Sequence, residues 1–367
     1  MSLATAKLKF KNSTYYKFLM SESLKPLLIQ LVESFSYYLI DEARREIGKE
    51  VLNVYVKDIE YNKTGGRFGD VYVIDVLYSS EFSEHKTKLA IKFMDNPAEA
   101  ITEIKNSSFL EKKFSTRSVV KIPRYVYVSL KSPTFIAYEG VSGINYEDAF
   151  DVRDKSFWAG YVLSIIHEGK PRSVIIDIYE ELYRRLVLSI FGGEDIEQEI
   201  MEKSKKLIEM ISVSSGGSDA FGDYHQSNLM VRTSPQNEVL GIALIDPTFW
   251  MQGSFDRFED IGTFFGRQAF LEYRVTKQLD ATIDDIQRFI QGYNVHLREI
   301  NSDPISDFYP KGYPIDLFLA IWAMMDILDK TTTQNIPLNH SDILLLKGFA
   351  FHLLTEHPIS NKINNFI

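Results

Sequence analysis

Between residues 23 and 48 the apolar side chains fall at Leu24, Leu27, Leu28, Leu31, Val32, Phe35, Tyr38 and Leu39. Gaps of three and four put them on one helical face, with Ser23 as N-cap and Gly48 as the stop. The period then drops to two. Segments 51–60, 70–78 and 88–94 read as strands, separated by Asn62-Lys63-Thr64-Gly65-Gly66 and by a polar loop over 79–86. Asn96 and Pro97 open a helix to about Phe114, Asn capping and Pro in the first helical position. Strands at 124–130 and 134–138 complete a small mixed domain over 51–138. Residues 1–50 form a helical extension packed on it. From 139 to 367 the pattern is mainly helical, with periodic segments near 146–168, 173–191, 195–212, 278–299, 313–330 and 340–355.

One stretch interrupts the helices. Apolar runs at 228–231 and 239–245 flank Ser234-Pro235-Gln236-Asn237, which predicts a β-hairpin, and the Ser/Gly-rich segment 212–218 reads as a flexible loop feeding it. The expected fold class is therefore α+β and two-lobed. A small mixed β-sheet with one key helix forms the N-lobe, and a larger helical C-lobe carries the hairpin.

Composition narrows the function more than the fold. The 367 residues include no cysteine, which excludes disulfides, thiolate metal sites and cysteine nucleophiles, and fits a reducing cytoplasm. A net charge of −9 argues against a nucleic-acid partner. No run approaches the 18 or so apolar residues of a membrane span. Met1-Ser2-Leu3-Ala4 starts no basic-then-apolar segment, so no signal peptide is expected. The expectation is a soluble, cytoplasmic protein with no membrane partner.

The chemistry concentrates in the hairpin. It reads Phe221-Gly222-Asp223-Tyr224-His225-Gln226-Ser227-Asn228, then Ile245-Asp246-Pro247 after the second strand. Phosphoryl transfer from ATP needs a carboxylate to orient and deprotonate a hydroxyl, and oxygen ligands that hold Mg²⁺ against the phosphates. Asp223 with Asn228 five residues later supplies the base and one ligand; Asp246 at the next strand end supplies the other. An Asp/Asn-rich surface turn gives the same spacing without chemistry. Upstream, Lys92 ends the strand Leu89-Ala90-Ile91, and Glu103 follows in the helix opened by Pro97. Such a pair matches the strand lysine on the α- and β-phosphates and the helix glutamate that fixes it. Glu99 is the rival partner; Glu103 is preferred because Phe109 and Leu110 follow it at the spacing of a packed face. Either residue alone also reads as solvated. Gly65, Gly66, Phe68 and Gly69 fall where a phosphate-covering loop belongs. Tyr138 and Glu139 fall in the linker whose backbone would bind adenine.

In this order the residues resemble the aminoglycoside phosphotransferase and choline kinase group of small-molecule kinases, which has the protein-kinase-like fold. The group's hallmark is roughly His-Gly-Asp-x-His-x-x-Asn followed by Ile-Asp, and Asp260-Ile261-Gly262 occupies the place of a helix-opening segment. The resemblance spans about residues 51 to 270. It implies Asp223 as catalytic base, Asn228 and Asp246 as Mg²⁺ ligands, Lys92 as phosphate contact, Glu103 as its partner and Asp260 as a structural residue near the loop. One departure stands out. Phe221 replaces the first histidine, where an aromatic ring would have to pack instead. His225 reads as a loop-stabilising residue.

The resemblance implies an ATP- and Mg-dependent phosphotransferase acting on a hydroxyl of a sugar, amino alcohol or aminoglycoside-like acceptor. A nucleotide-binding pseudokinase with a scaffold role is the alternative, motivated by Phe221 and the incomplete glycine loop. A protein kinase is disfavoured, since no Asp-Phe-Gly or Ala-Pro-Glu segment follows the hairpin. Trp250, Met251 and Trp322 are placed to line an acceptor pocket, although Trp322 with Met324 and Met325 also reads as helix core.

Overall fold

The computed structural model describes residues 24–64, 70–94, 96–131, 133–170, 172–177, 195–247, 251–309, 311–333, 340–356 and 358–363. The chain divides into two compact units, one made of residues 1–142 and 243–248, the other of 143–242 and 249–367. The Ser23 cap, residues 65–69, the segment 178–191 and Trp250 lie outside the described residues.

In the first unit, α1 (Leu24–Ser34) and α2 (Ser36–Ile47) precede β1 (Val54–Thr64), β2 (Val71–Ser80) and β3 (Glu84–Met94). Then come α3 (Pro97–Phe114), β4 (Val120–Lys121), β5 (Tyr125–Ser129) and β6 (Thr134–Glu139). The sheet runs β1-β2-β3-β6-β5, and the sheet expected as mixed is antiparallel in all four pairings. Residues alternate along β2 between buried and less buried, as a half-covered strand requires. Its inner face, with Ile74, Val76 and Tyr78, shares one core with Leu28, Val32, Phe35, Leu39 and Ala43 of the helices. The single helix expected over 23–48 is broken at Phe35, which has φ −119° and ψ 36°. The break seats the Phe35 ring on Tyr127, with centroids 5.6 Å apart. Gly48 ends α2 in the left-handed region at φ +64°. Asn96 caps α3 by accepting from the Ala98 N–H at 2.9 Å.

The second unit opens with β7 (Ile144–Asn145), a short 3₁₀ turn (Tyr146–Asp148), α4 (Lys155–Ile166) and α5 (Asp195–Ser212). It continues with β8 (Gly217–Ala220), a 3₁₀ turn (Gln226–Asn228), β9 (Leu229–Thr233), β10 (Val239–Leu244) and β11 (Met251–Asp256). The helices α6 (Arg257–Thr276), α7 (Asp280–Glu299), α8 (Ile315–Thr333), α9 (His340–Phe351) and α10 (Ile359–Ile363) follow. The hairpin β9–β10 turns at Asn237, φ +61°, where the Ser234 N–H donates to Glu238 O at 2.9 Å. The segment expected as a flexible loop is instead anchored. Ser214 and Ser218 are buried, and Gly217 exchanges backbone hydrogen bonds with Arg172 at 2.8 and 3.2 Å. It leads into β8, which pairs antiparallel with β11.

The helix α6 escapes the periodicity argument. Besides the apolar Phe258, Ile261, Phe264, Phe265, Ala269 and Phe270, it buries Arg257, Asp260, Gly262, Thr263 and Gly266, so it is covered on nearly all sides and shows no solvated polar face along its first half. In α8, Met324 is buried and Trp322 half-buried, nearer the core reading than the pocket reading. No helix among the described residues is long and apolar enough to cross a membrane.

Close approach of α4 and α7 fixes the middle of this unit. A Cβ at Gly160 would stand 1.9 Å from Phe289 O, and one at Gly292 would stand 1.9 Å from Phe157 O. Only glycine permits that contact, and it brings the end of α4 beside Tyr293 of α7, where His167 Nδ1 lies 2.8 Å from the Tyr293 hydroxyl. Gly292→Ala is expected to lower stability by at least about 1–3 kcal/mol, the usual overpacking range. An unchanged urea midpoint would contradict the packing described.

Candidate active site

In the first unit, β3 delivers Lys92 to a largely buried position at 6% exposure. Its Nζ donates to Glu103 Oε2 at 2.7 Å and to Asp246 Oδ1 at 2.7 Å. Glu103, 1% exposed, comes from the buried face of α3, one turn beyond Ala100 and one before Ser107. The Tyr138 hydroxyl on β6 donates to its other oxygen, Oε1, at 2.5 Å. Burial works against the lysine charge, but Glu103 and then Asp246 outweigh it and hold the ammonium pKa above its ordinary value. Burial, reinforced by Glu103, pushes the Tyr138 phenol well above its usual range, so it remains a donor. Asp246 sits in the left-handed region at φ +55°, and the next carbonyl, Pro247 O, accepts from Asn106 Nδ2 at 2.9 Å.

Glu139 is arranged differently. Its carboxylate meets Lys121 at 2.5 Å and Arg124 at 2.9 Å, and its N–H donates to Arg124 O at 2.9 Å. The two cations outweigh burial and hold its pKa below the usual carboxylate range. The Glu139 carboxylate and N–H are thus taken by Lys121 of β4 and by Arg124, which precedes β5. Gly65, Gly66, Phe68 and Gly69 lie outside the described residues.

In the second unit, β8 leads through Phe221 and Gly222, φ +78°, to Asp223. Asn228 Nδ2 donates to Asp223 O at 3.0 Å and to Asp223 Oδ2 at 3.3 Å, which closes the loop around the proposed base. His225 Nε2 lies 3.5 Å from Asp223 Oδ2, and its N–H donates to Asp223 O at 2.8 Å. Beneath the loop, Asp260 is fully buried. Its Oδ2 accepts from the Phe221 N–H at 2.7 Å and its Oδ1 from the Gly222 N–H at 2.8 Å. Asp256 caps α6 by accepting from the Phe258 N–H at 2.8 Å, so Asp260 falls in the first helical turn, where the dipole favours a carboxylate. Phe221 is fully buried and meets Tyr224 edge-to-face at 5.7 Å, while the Tyr224 hydroxyl donates to Ala159 O at 2.7 Å. The aromatic replacement packs as core.

The structure thus brings Lys92, Glu103, Tyr138 and Asp246 together in one unit, and Asp223, Asn228 and His225 together in the other. Sequence reasoning gave no role to the Tyr138 hydroxyl or to His167, whose Nε2 lies 2.9 Å from Asp260 Oδ2. A single histidine closing the apolar run 157–166 was the available signal, since a buried imidazole needs a polar partner.

No family model matches the sequence, and no curated protein matches it. Solved structures do. The chain is similar to a spectinomycin phosphotransferase in complex with ADP and spectinomycin, at 16% identity and TM-score 0.45, covering 89% of this chain and 97% of that one. It is similar to a choline/ethanolamine kinase family protein from Mesorhizobium loti, at 12% identity and TM-score 0.46, covering 88% and 97%. An aminoglycoside 2′-phosphotransferase-IIIa in its GDP complex gives 12% identity and TM-score 0.48, covering 86% and 97%. The roles of individual residues rest on the geometry above.

Two outcomes follow. Glu103→Ala leaves a buried ammonium short of one counter-charge and is expected to cost about 3–5 kcal/mol of stability, measured by denaturant unfolding; a change below about 1 kcal/mol would mean that the pair is solvated. Burial raises the carboxyl pKa to about 7 at Asp256 and about 7 at Asp260. A folded pKa above the unfolded value gives stability that is full below the unfolded pKa and is lost as pH rises through the folded one. Unfolding free energy is therefore expected to fall between about pH 4 and pH 7, and to fall less steeply in Asp256→Asn. Identical slopes in the two proteins would contradict the burial assigned to Asp256.

Proposed function

We propose that the protein is an ATP- and Mg-dependent phosphotransferase that moves the γ-phosphoryl group of ATP to a hydroxyl of a small-molecule acceptor. The observation that carries this reading is the buried Lys92 held between Glu103 and Asp246. A buried ammonium is costly, and a structural role would be served by an apolar residue at less expense. A lysine held charged at the end of a strand, with one carboxylate to fix it, suits the α- and β-phosphates of a nucleotide. The left-handed backbone at Asp246 adds to this, because strained positions cluster where a group must be aimed.

Asp223 takes the role of base: it orients the acceptor hydroxyl and accepts its proton. Asn228 and Asp246 would hold Mg²⁺. Both offer the hard oxygen donors that this cation takes, and the Asn228 amide nitrogen is already spent on Asp223, which leaves its oxygen for a ligand. When bound, the metal supplies positive charge across the phosphate oxygens. Residues 65–69 would cover the phosphates, and the backbone near Tyr138 and Glu139 would meet the base. The Tyr138 side chain has a separate task, bracing Glu103 from the side away from Lys92. Acceptors in view are sugars, amino alcohols and aminoglycoside-like compounds.

Phe221 favours a second reading, a nucleotide-binding protein without turnover. Its packing into the core, with both loop N–H groups still held by Asp260, supports the active reading instead. An ADP-release screen against hydroxyl acceptors tests the proposal. Asp223→Ala is expected to lower turnover on an authentic acceptor by about 10²–10⁴-fold, the range for a general base. Wild-type turnover in that variant would remove Asp223 from the role, and Mg·ATP binding with no transfer to any acceptor would favour the second reading.

A further inference from the structure

We propose that Tyr293 and Arg257 are positioning residues for the loop before Asp223, acting through a one-way chain of hydrogen bonds that ends on Asp260. The role in turnover rests on the reading of Asp223 as base; the direction of the chain does not. Arg257 Nη1 donates to the Tyr293 hydroxyl oxygen at 2.8 Å. That hydroxyl lies 2.8 Å from His167 Nδ1, and His167 Nε2 lies 2.9 Å from Asp260 Oδ2. Asp260 in turn holds the N–H groups of Phe221 and Gly222. Arg257, His167, Asp260 and Tyr293 are all buried.

A guanidinium only donates, so it occupies the phenol oxygen as acceptor. Among the described residues the Tyr293 hydroxyl has two hydrogen-bond partners, Arg257 and His167. Its proton must therefore go to His167 Nδ1. That makes Nδ1 the acceptor and Nε2 the protonated nitrogen, which donates to the Asp260 carboxylate. The opposite direction would aim an Nδ1–H at an oxygen already taken and strand the phenol proton in the core. Arg257, with its guanidinium 4.7 Å from the centroid of Phe308, thus sets the tautomer of a histidine it does not touch. Once ionised, above its pKa of about 7, Asp260 receives three donors and presents none, which holds the backbone entering Asp223.

Long-range proton–nitrogen correlation spectra of the wild-type protein test the direction without any variant. His167 among the seven histidines is assigned by its loss in His167→Gln. The expected result, read above pH 7 where Asp260 is ionised, is a neutral Nε2–H ring. An Nδ1–H ring or an imidazolium would overturn the chain. Tyr293→Phe keeps the ring and removes the relay. It is expected to lower kcat by about 10- to 100-fold, the cost of a misplaced catalytic group, with the Kd for Mg·ATP unchanged. An unchanged kcat in a folded Tyr293→Phe enzyme would overturn the positioning role. Full turnover in Asp223→Ala would instead remove the base assignment and leave the tautomer result standing.

Discussion

A lysine ammonium taken out of water needs compensating charge, and Lys92 is where the first unit meets that demand. Two carboxylates, Glu103 and Asp246, each stand 2.7 Å from its Nζ. Satisfying them ties together pieces far apart in the chain. The register of β3 must aim Lys92 inward, α3 must present Glu103 on its buried face, and residues 243–248 must return to place Asp246. Tyr138 closes the arrangement from β6 by using the remaining oxygen of Glu103. Burial makes these contacts strong and makes the loss of any one expensive. A cluster assembled this way is pre-organised before a ligand arrives, as the proposed phosphoryl transfer would require.

The second unit solves a related problem with a buried carboxylate. Asp260 takes two backbone N–H groups that would otherwise be orphaned at the turn into Asp223, so loop shape and charge satisfaction become one requirement. Phe221 is compatible with this because the loop is held through its backbone. The side chain at 221 is free to serve the aromatic core with Tyr224 and Phe264.

Local patterns explain what could be read in advance. Lys92, Glu103, Asp223, Asn228 and Asp246 stood out because strand ends, a capped helix and a hairpin leave marks at short range. The structure pairs Lys92 with Glu103 and not Glu99; of the two residues that pointed to that helical face, Leu110 is buried but Phe109 is exposed. Phe35 broke a helix that periodicity drew as continuous, because its ring is placed by Tyr127 of a strand. The course of α6 was hidden by burial on nearly all sides, and only the Asp260-Ile261-Gly262 segment hinted at it. The Arg257–Tyr293–His167 contacts join α4, α6 and α7 across long separations, and no spacing rule in the chain encodes them. Anchoring of 214–218 was likewise tertiary: small residues that suggest a loosened loop also suit a buried one.

Phosphorus NMR of the protein with Mg·ATP and a panel of hydroxyl acceptors tests the central claim most directly. The account predicts loss of the ATP resonances, growth of ADP and a new phosphomonoester signal that depends on one class of acceptor. Unchanged ATP across sugars, amino alcohols, nucleosides and aminoglycosides, in a protein that binds Mg·ATP, would contradict it; so would inorganic phosphate as the sole product.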